Sequence, residues 1–185
     1  MQIRLNSGGI DYIMAENTIE NRELYPNSSN ISTESGDISQ HNKKHISKTK
    51  LLWHGSRNEN WWSIINTGLV LRPTNAVITG KMFGFGIYYA PKARKSLGYT
   101  SLSGSYWARG NSNSAFMALM DVAYGKPYDV HSFDSKYYDF NYERLQKTCP
   151  GANCLHAHAG SMLRNDEIIV YKEDQCTIKY LVELR

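Results

Sequence analysis

No stretch of this chain carries an apolar helical period long enough to supply the crossover helices that a parallel sheet requires. From Leu51 onward the apolar residues come in short runs broken by Gly, Pro, Asn and Asp. LLWHGS reads as an apolar strand ending in a small-residue turn. WWSIINTGLV sets Trp62, Ile65 and Leu69 at helical spacing, with Gly68 as the stop. ITGKMFGFGIYYA is aromatic and Gly-rich, which favours strand pieces and tight loops, and PKARKSLGY fits a short helix with Pro91 in its first turn. FMALMDVAYGKPYDV reads as a long strand broken at Gly125-Lys126-Pro127. EIIVYKEDQCTIKYLVEL gives two β-rich runs separated by polar turn residues. Many short strands and few short helices predict an α+β fold with mostly antiparallel sheets, not a doubly wound parallel one.

The globular texture begins near residue 50. Upstream, clusters such as PNSSNISTESGD and HNKKH offer little apolar area to offset the entropy of ordering. The expected division is therefore a polar tail over 1–49, partly disordered or docked, and a globular domain over 50–185. An amphipathic piece around Ile10 to Leu24 is the part of the tail suited to docking. Lys43, Lys44, Lys48 and Lys50 form a basic run that reads as solvated, with phosphate or nucleic-acid contact as the alternative.

Composition narrows the function. The chain's 185 residues carry 21 Lys and Arg against 17 Asp and Glu, a net charge of +4 that favours anionic partners without requiring nucleic acid. Thirteen Tyr and four Trp are many for this length and argue for stacking surfaces as well as packing. Three Cys cannot all pair within one chain, which disfavours a disulfide scaffold and fits a reducing, intracellular compartment. A secreted toxin cut from a longer precursor is compatible too. No apolar run approaches the roughly 18 residues of a membrane span, and the first residues lack the apolar core of a secretory signal.

Three places could carry chemistry. His54 ends a strand between Trp53 and the flexible Gly55-Ser56 pair: it is either a turn-capping histidine or a hydrogen-bonding group beside a ligand. GFGIYYA alternates Gly84 and Gly86 along an extended stretch, so it is either a bulged strand or a face open to close approach. It lacks the third glycine and following helix of a dinucleotide fingerprint. Tyr88 and Tyr89 then point to opposite faces. Asp166 and Glu167 stand just before an apolar strand, either solvated or partly desolvated.

Taken in order, LLWHGSR, TGKMFGFGIYYAPKARKSLGY and NDEIIVY resemble the catalytic domain of poly(ADP-ribose) polymerases, with NTGL and DVAYGKPYDV as further matches between them. The resemblance covers about residues 50 to 185. It implies the ADP-ribosyltransferase fold, with two small, mostly antiparallel sheets and short helices around an NAD cleft. It also implies the family's His-Tyr-Glu set, here His54, Tyr88 and Glu167. By carry-over, His54 binds the adenosine ribose, the Gly55 backbone and the Ser96 hydroxyl hold the nicotinamide carboxamide, and Tyr88 and Tyr99 sandwich the ring. Ser56 completes the NAD-facing set. The match E-x-I-V-Y selects Glu167 over Asp166, as the carboxylate that stabilises an oxocarbenium-like ribose or acts as a general base.

The resemblance further implies NAD as a substrate, no metal requirement, and a protein acceptor. A nucleic-acid acceptor or a catalytically silent NAD- or ADP-ribose-binding module are the alternatives. A monomer without membrane association is expected. The 50 residues ahead of the first motif are too few for the helical regulatory bundle of DNA-sensing relatives, so an open NAD site indifferent to nicked DNA is expected. The same resemblance leaves single transfer and chain elongation both open, because the loop 137–162 matches no known pattern. That loop holds Cys149, Cys154, His156 and His158, whose spacing is unusual for zinc. The two histidines, separated by one residue, are expected to face apart in a strand, so ordinary loop residues are the expectation, with zinc as the alternative. Trp107 and Arg109 read as loop packing, with adenine or substrate contact as the alternative.

Overall fold

The computed structural model describes residues 48–72 and 81–185, together with the backbone of 12–16. Among these residues the chain runs through β1 (Tyr12–Glu16), β2 (Thr49–Gly55), α1 (Asn58–Thr67), β3 (Ile87–Tyr89), α2 (Ala93–Leu97), β4 (Ala115–Ala123) and β5 (Pro127–Val130). There follow a 3-10 turn (Ser135–Asp139), α3 (Tyr142–Thr148), β6 (Cys154–Ala157), β7 (Glu167–Val170), a second 3-10 turn (Glu173–Gln175) and β8 (Cys176–Leu184). Two four-stranded sheets result, ordered β1-β8-β4-β2 and β3-β7-β6-β5. All pairs are antiparallel except β5 with β6, which run parallel. The α+β expectation stands, and no described helix is long and apolar enough to cross a membrane.

The sequence explains which strands sit where. β4 is AFMALMDVA, apolar at nearly every position and buried along most of its length, as a central strand covered on both faces must be. β7 is four residues long and wholly buried, so Ile168 and Val170 join one apolar cluster with Leu52, Trp61 and Met120. Ile169 joins another with Phe83, Phe140 and Leu155. The second sheet therefore has two packed faces, and each residue's parity decides which it serves.

The break at Gly125-Lys126-Pro127 falls where expected, and it does more than interrupt a strand. It carries the chain from the first sheet into the second. Gly125 takes φ 51 and donates its N–H to the Lys48 carbonyl at 2.8 Å. Lys126 and Asn153 exchange two bonds of 2.8 Å, and the buried Gln175 amide donates to the carbonyls of Ala123 and Asn153.

Two expectations need adjustment. In α1 the buried face is Trp61 and Ile64, at 3% and 8% exposure, while Trp62 and Ile65 stand at 66% and 38%. The doublets Trp61-Trp62 and Ile64-Ile65 support two helical phases equally well. The tie is broken by the Trp61 indole N–H, which donates to the Ser56 carbonyl at 3.3 Å. Gly68 does stop the helix, with φ 80 and its N–H on the Ile64 carbonyl. Pro91 lies just before α2, whose N-cap is Lys92, rather than in its first turn. Upstream, Tyr12–Glu16 pairs with β8 as an edge strand, so part of the Ile10 to Leu24 piece does dock on the first sheet. The rest of the Ile10 to Leu24 piece, and Lys43 and Lys44, lie outside the described residues.

Candidate active site

The site forms at the seam between the sheets, where β2 meets β3. Trp53 and Ala90 exchange backbone hydrogen bonds of 2.8 and 3.0 Å, locking the two strands. One residue on, His54 Nδ1 lies 3.0 Å from the Tyr88 carbonyl. A carbonyl only accepts, so Nδ1 carries the proton and Nε2 is left as an acceptor. Burial pushes the His54 pKa below its ordinary 6.5, only partly offset by the Tyr88 bond. The ring packs against Trp61 and Tyr89 at centroid separations of 6.4 and 5.9 Å.

Gly55 is required by proximity. A Cβ there would lie 1.9 Å from the Ser96 carbonyl oxygen, so only glycine lets β2 pass this close to α2. Ser96 is buried, and its hydroxyl donates to the Trp53 carbonyl at 3.0 Å. Ser56 accepts a hydrogen bond from the Asn60 amide at 3.0 Å, which ties the turn after β2 to α1.

Two tyrosines line the seam from β3 and from the turn after α2. The Tyr88 hydroxyl donates to the Gly84 carbonyl at 2.9 Å and accepts from the Phe83 N–H at 3.0 Å, so its polar end is satisfied. Gly84, at φ 73, allows this turn and packs so tightly on Phe140 that a Cβ would lie 2.2 Å from its carbonyl oxygen. Burial raises the Tyr88 pKa, the Phe83 N–H opposes the rise, and Glu167 adds to it. Tyr99 is pushed up to about 12 by burial and then by Glu167. Both phenols are therefore neutral and both lie within electrostatic reach of Glu167. Tyr99 stacks on Trp107 with an interplanar angle of 20°, so Trp107 serves as loop packing behind a site aromatic. Arg109 turns that loop at φ 50.

Glu167 opens β7. Tyr88 stands opposite Ile169, and Glu167 is two residues from Ile169, so Tyr88 and Glu167 share one face of the second sheet. The carboxylate is 7% exposed. Its Oε1 forms an ion pair with Lys95 of α2, while Oε2 is buried with no hydrogen-bond partner among the described residues. Reading the sequence did not give Lys95 this role. The two partners are 72 positions apart (167 − 95), and only the adjacency of Lys95 to Ser96 on a helix facing the seam marked it. Tyr89, the neighbour of Tyr88, points to the other face and is buried in the other cluster.

Asp166 goes to the opposite face. It accepts from the Ala159 N–H at 2.8 Å and from His156 Nε2 at 3.0 Å. Burial works against its charge, yet the Ala159 N–H and His156 hold it below the usual carboxylate range. The expectation that His156 and His158 face apart is wrong. Residues i and i+2 of an extended chain share a face, and the two rings stack at 4.0 Å. The cysteines stand elsewhere: Cys154 is buried with its thiol on the Tyr124 carbonyl, and Cys149 packs against the second cluster.

The structure thus gathers His54, Gly55, Ser56, Tyr88, Ser96, Tyr99 and Glu167 around one seam and leaves Asp166 outside it. The family profile of the poly(ADP-ribose) polymerase catalytic domain matches residues 29–185. The chain is 34% identical over 140 residues to the putative poly [ADP-ribose] polymerase-like 100L of Invertebrate iridescent virus 6, covering 74% of this chain and 71% of that protein. Against poly [ADP-ribose] polymerase 2 of Arabidopsis thaliana it is 30% identical over 161 residues, 73% of this chain and 24% of that protein. Against human poly [ADP-ribose] polymerase 2 it is 43% identical over 76 residues, 41% of this chain and 12% of that protein. The chain thus spans most of the viral relative but a quarter or less of the plant and human ones. It belongs to the poly(ADP-ribose) polymerase catalytic-domain family and, with NAD as its substrate, is an ADP-ribosyltransferase.

Proposed function

We propose that the seam binds NAD with its nicotinamide between Tyr88 and Tyr99 and transfers ADP-ribose to a protein side chain. One observation carries this reading: the buried Oε2 of Glu167, without a hydrogen-bond partner among the described residues, held beside two neutral tyrosines. A buried acceptor without a partner is costly unless a ligand supplies the missing donor. The 2′-hydroxyl of the nicotinamide ribose is such a donor.

Each group then has a chemical task. Tyr88 has its hydroxyl satisfied and offers its ring face, suited to a flat aromatic ligand. The Gly55 backbone bonds the carboxamide. The Ser96 proton goes to the Trp53 carbonyl, so Ser96 meets the carboxamide through its lone pairs, as an acceptor from the amide N–H. His54 Nε2 accepts from an adenosine ribose hydroxyl. Ser56, tied to Asn60, shapes the turn beside it.

Cleavage of the bond from nicotinamide to ribose leaves positive character at the anomeric carbon. The hydrogen bond from the 2′-hydroxyl to Glu167 strengthens as that charge grows, so it favours the transition state over bound NAD. Lys95 fixes the other oxygen and so aims the carboxylate. Nicotinamide departs as a neutral base and requires no acid. The attacking nucleophile gives up its proton to Glu167 or to water.

Glu167 permits repeated transfer onto ADP-ribose as well as a single addition. Cys149, Cys154 and Cys176 form no disulfide, which supports a reducing compartment. Labelled NAD incubated with wild type and Glu167→Gln in a protein mixture tests the reading. Label should pass to protein only with the wild type, and mass spectrometry of the products reports acceptor residue and chain length. Equal labelling in both removes Glu167 from the mechanism. Label that is lost to nuclease instead of protease shifts the acceptor to nucleic acid.

A further inference from the structure

On the face of the second sheet turned away from Glu167, β5, the end of β6 and the approach to β7 bring together Asp129, His156, His158 and Asp166. We propose that Asp129, His156 and His158 bind one divalent transition-metal ion of the zinc class, with Asp166 orienting His156 from behind. The site takes no part in the transfer described above and stands or falls separately from it.

The backbone assembles the three ligands. The parallel register sets Asp129 opposite His156. The ladder continues past β6 through the His158 N–H on the Val130 carbonyl at 2.8 Å, so His158 keeps the extended geometry that puts its ring on the same side as His156. One donor atom from each of the three residues lies within 4.8 Å of the other two. His158 Nε2 is 2.7 Å from Asp129 Oδ1, and His156 Nδ1 is 3.9 Å from it. Metal bonds of about 2.0–2.2 Å in a tetrahedral site place ligand atoms roughly 3.4 Å apart. The spacings straddle that value, and small side-chain rotations bring them to it.

The tautomer of His156 is already set, whereas the proton that His158 Nε2 donates to Asp129 is displaced when the ion binds. Asp166 accepts from His156 Nε2, so that nitrogen carries the proton and Nδ1 turns its lone pair toward Asp129 and His158. Asp166 is itself anchored by the Ala159 N–H. A carboxylate holding the far nitrogen of an imidazole is the usual support of a metal-bound histidine, because it fixes the ring and raises its basicity. The Tyr124 hydroxyl, 2.8 Å from His156 Nδ1, donates there and yields its place when the ion binds. It then borders the fourth position, open to water. Two imidazoles and one carboxylate suit zinc, cobalt or nickel better than calcium or magnesium. The Lys50 ammonium over the Tyr124 ring opposes a cation, but Asp129 and Asp166 outweigh its single charge. Asp129 is exposed and His158 half-buried, which leaves an entry path, and His131 stacks on His158 at 4.4 Å at the outer edge.

Co2+ is the probe, because its visible absorption reports its ligands. Protein freed of metal with a chelator is titrated with Co2+, then with Zn2+ in competition, and its melting is followed in parallel. A band saturating at one equivalent, displaced by Zn2+, with a raised melting temperature, is expected. His158→Ala and Asp129→Asn should each abolish the one-equivalent band, while Cys149→Ser keeps it. Asp166→Asn should weaken affinity by about 10- to 100-fold with the band still present. Near-UV dichroism checks that each variant is folded, and Asp129→Asn, at an exposed position, decides if His158→Ala is not. A wild type that shows no band at one equivalent overturns the proposal. So does a band of equal affinity in Asp129→Asn.

Discussion

Asp166 and Glu167 enter β7 side by side and point to opposite faces of the second sheet, and their oxygens meet very different company. Both oxygens of Asp166 are hydrogen-bonded, one to a backbone N–H and one to an imidazole. Glu167 has one oxygen on Lys95 and one with no hydrogen-bond partner among the described residues, although it is the more buried of the two residues. The contrast shows how to tell a carboxylate that holds shape from one that awaits a ligand. A saturated group has spent its capacity inside the fold. A desolvated oxygen without a donor is an account that only a bound molecule closes.

The contrast breaks first at Glu167. Replacing Glu167 with Gln should lower NAD turnover by about a thousandfold, in the range seen when a transition-state hydrogen bond is removed, while circular dichroism shows the fold intact. Turnover within the error of wild type would place both carboxylates in the same structural class. Next comes its partner. Lys95→Met leaves a buried carboxylate uncompensated and should cost about 3 kcal/mol in denaturant unfolding, with Lys95→Arg recovering most of it. The effect of Asp166→Asn should be smaller, about 1 kcal/mol of stability, because that carboxylate is partly exposed and its bonds are screened. NAD turnover should stay nearly unchanged, since the side chain lies on the far face. A large loss of turnover there would join the two faces into one functional unit.

The smallest effect is a graded acid limb. Burial lowers the pKa values of both His54 and His156 from 6.5, so the folded protein takes up these protons at lower pH than the unfolded chain does. Stability is then full above pH 6.5 and declines as pH falls from 6.5 toward the depressed folded values. Unfolding midpoints measured between pH 7.5 and 5.5 should fall in wild type and fall less steeply in His156→Gln. A midpoint that rises on acidification reverses the sign and refutes it.

Much of the seam was legible because its parts are local motifs in a fixed order. His54 with Gly55, Tyr88 behind Gly84 and Gly86, Ser96 after Lys95, and Glu167 ahead of an apolar run each declare themselves within a few residues. What escaped depends on pairing between distant segments. The Lys95–Glu167 ion pair joins α2 to β7, and apart from the place of Lys95 next to Ser96 neither local pattern signals it. The phase of α1 was hidden by its doubled Trp and Ile, which are equally apolar on two adjacent faces, until a turn carbonyl chose Trp61. Tyr12–Glu16 reads YIMAE, a short apolar run set among polar residues, and only its backbone pairing with β8 makes it an edge strand. The histidine pair was misread through strand parity, and the parallel register that completes it with Asp129 is a tertiary fact.

The strap from β4 to β5 has a mechanical consequence. Both sheets draw on one nearly continuous run of backbone, pinned at Ala123, Gly125 and Lys126 to three other segments. Neither sheet can come apart while the other persists, because the first residue to leave would pull the shared run out of register on both sides. Heating should therefore produce a single calorimetric peak, with the two halves of the nucleotide-binding wall lost at the same temperature.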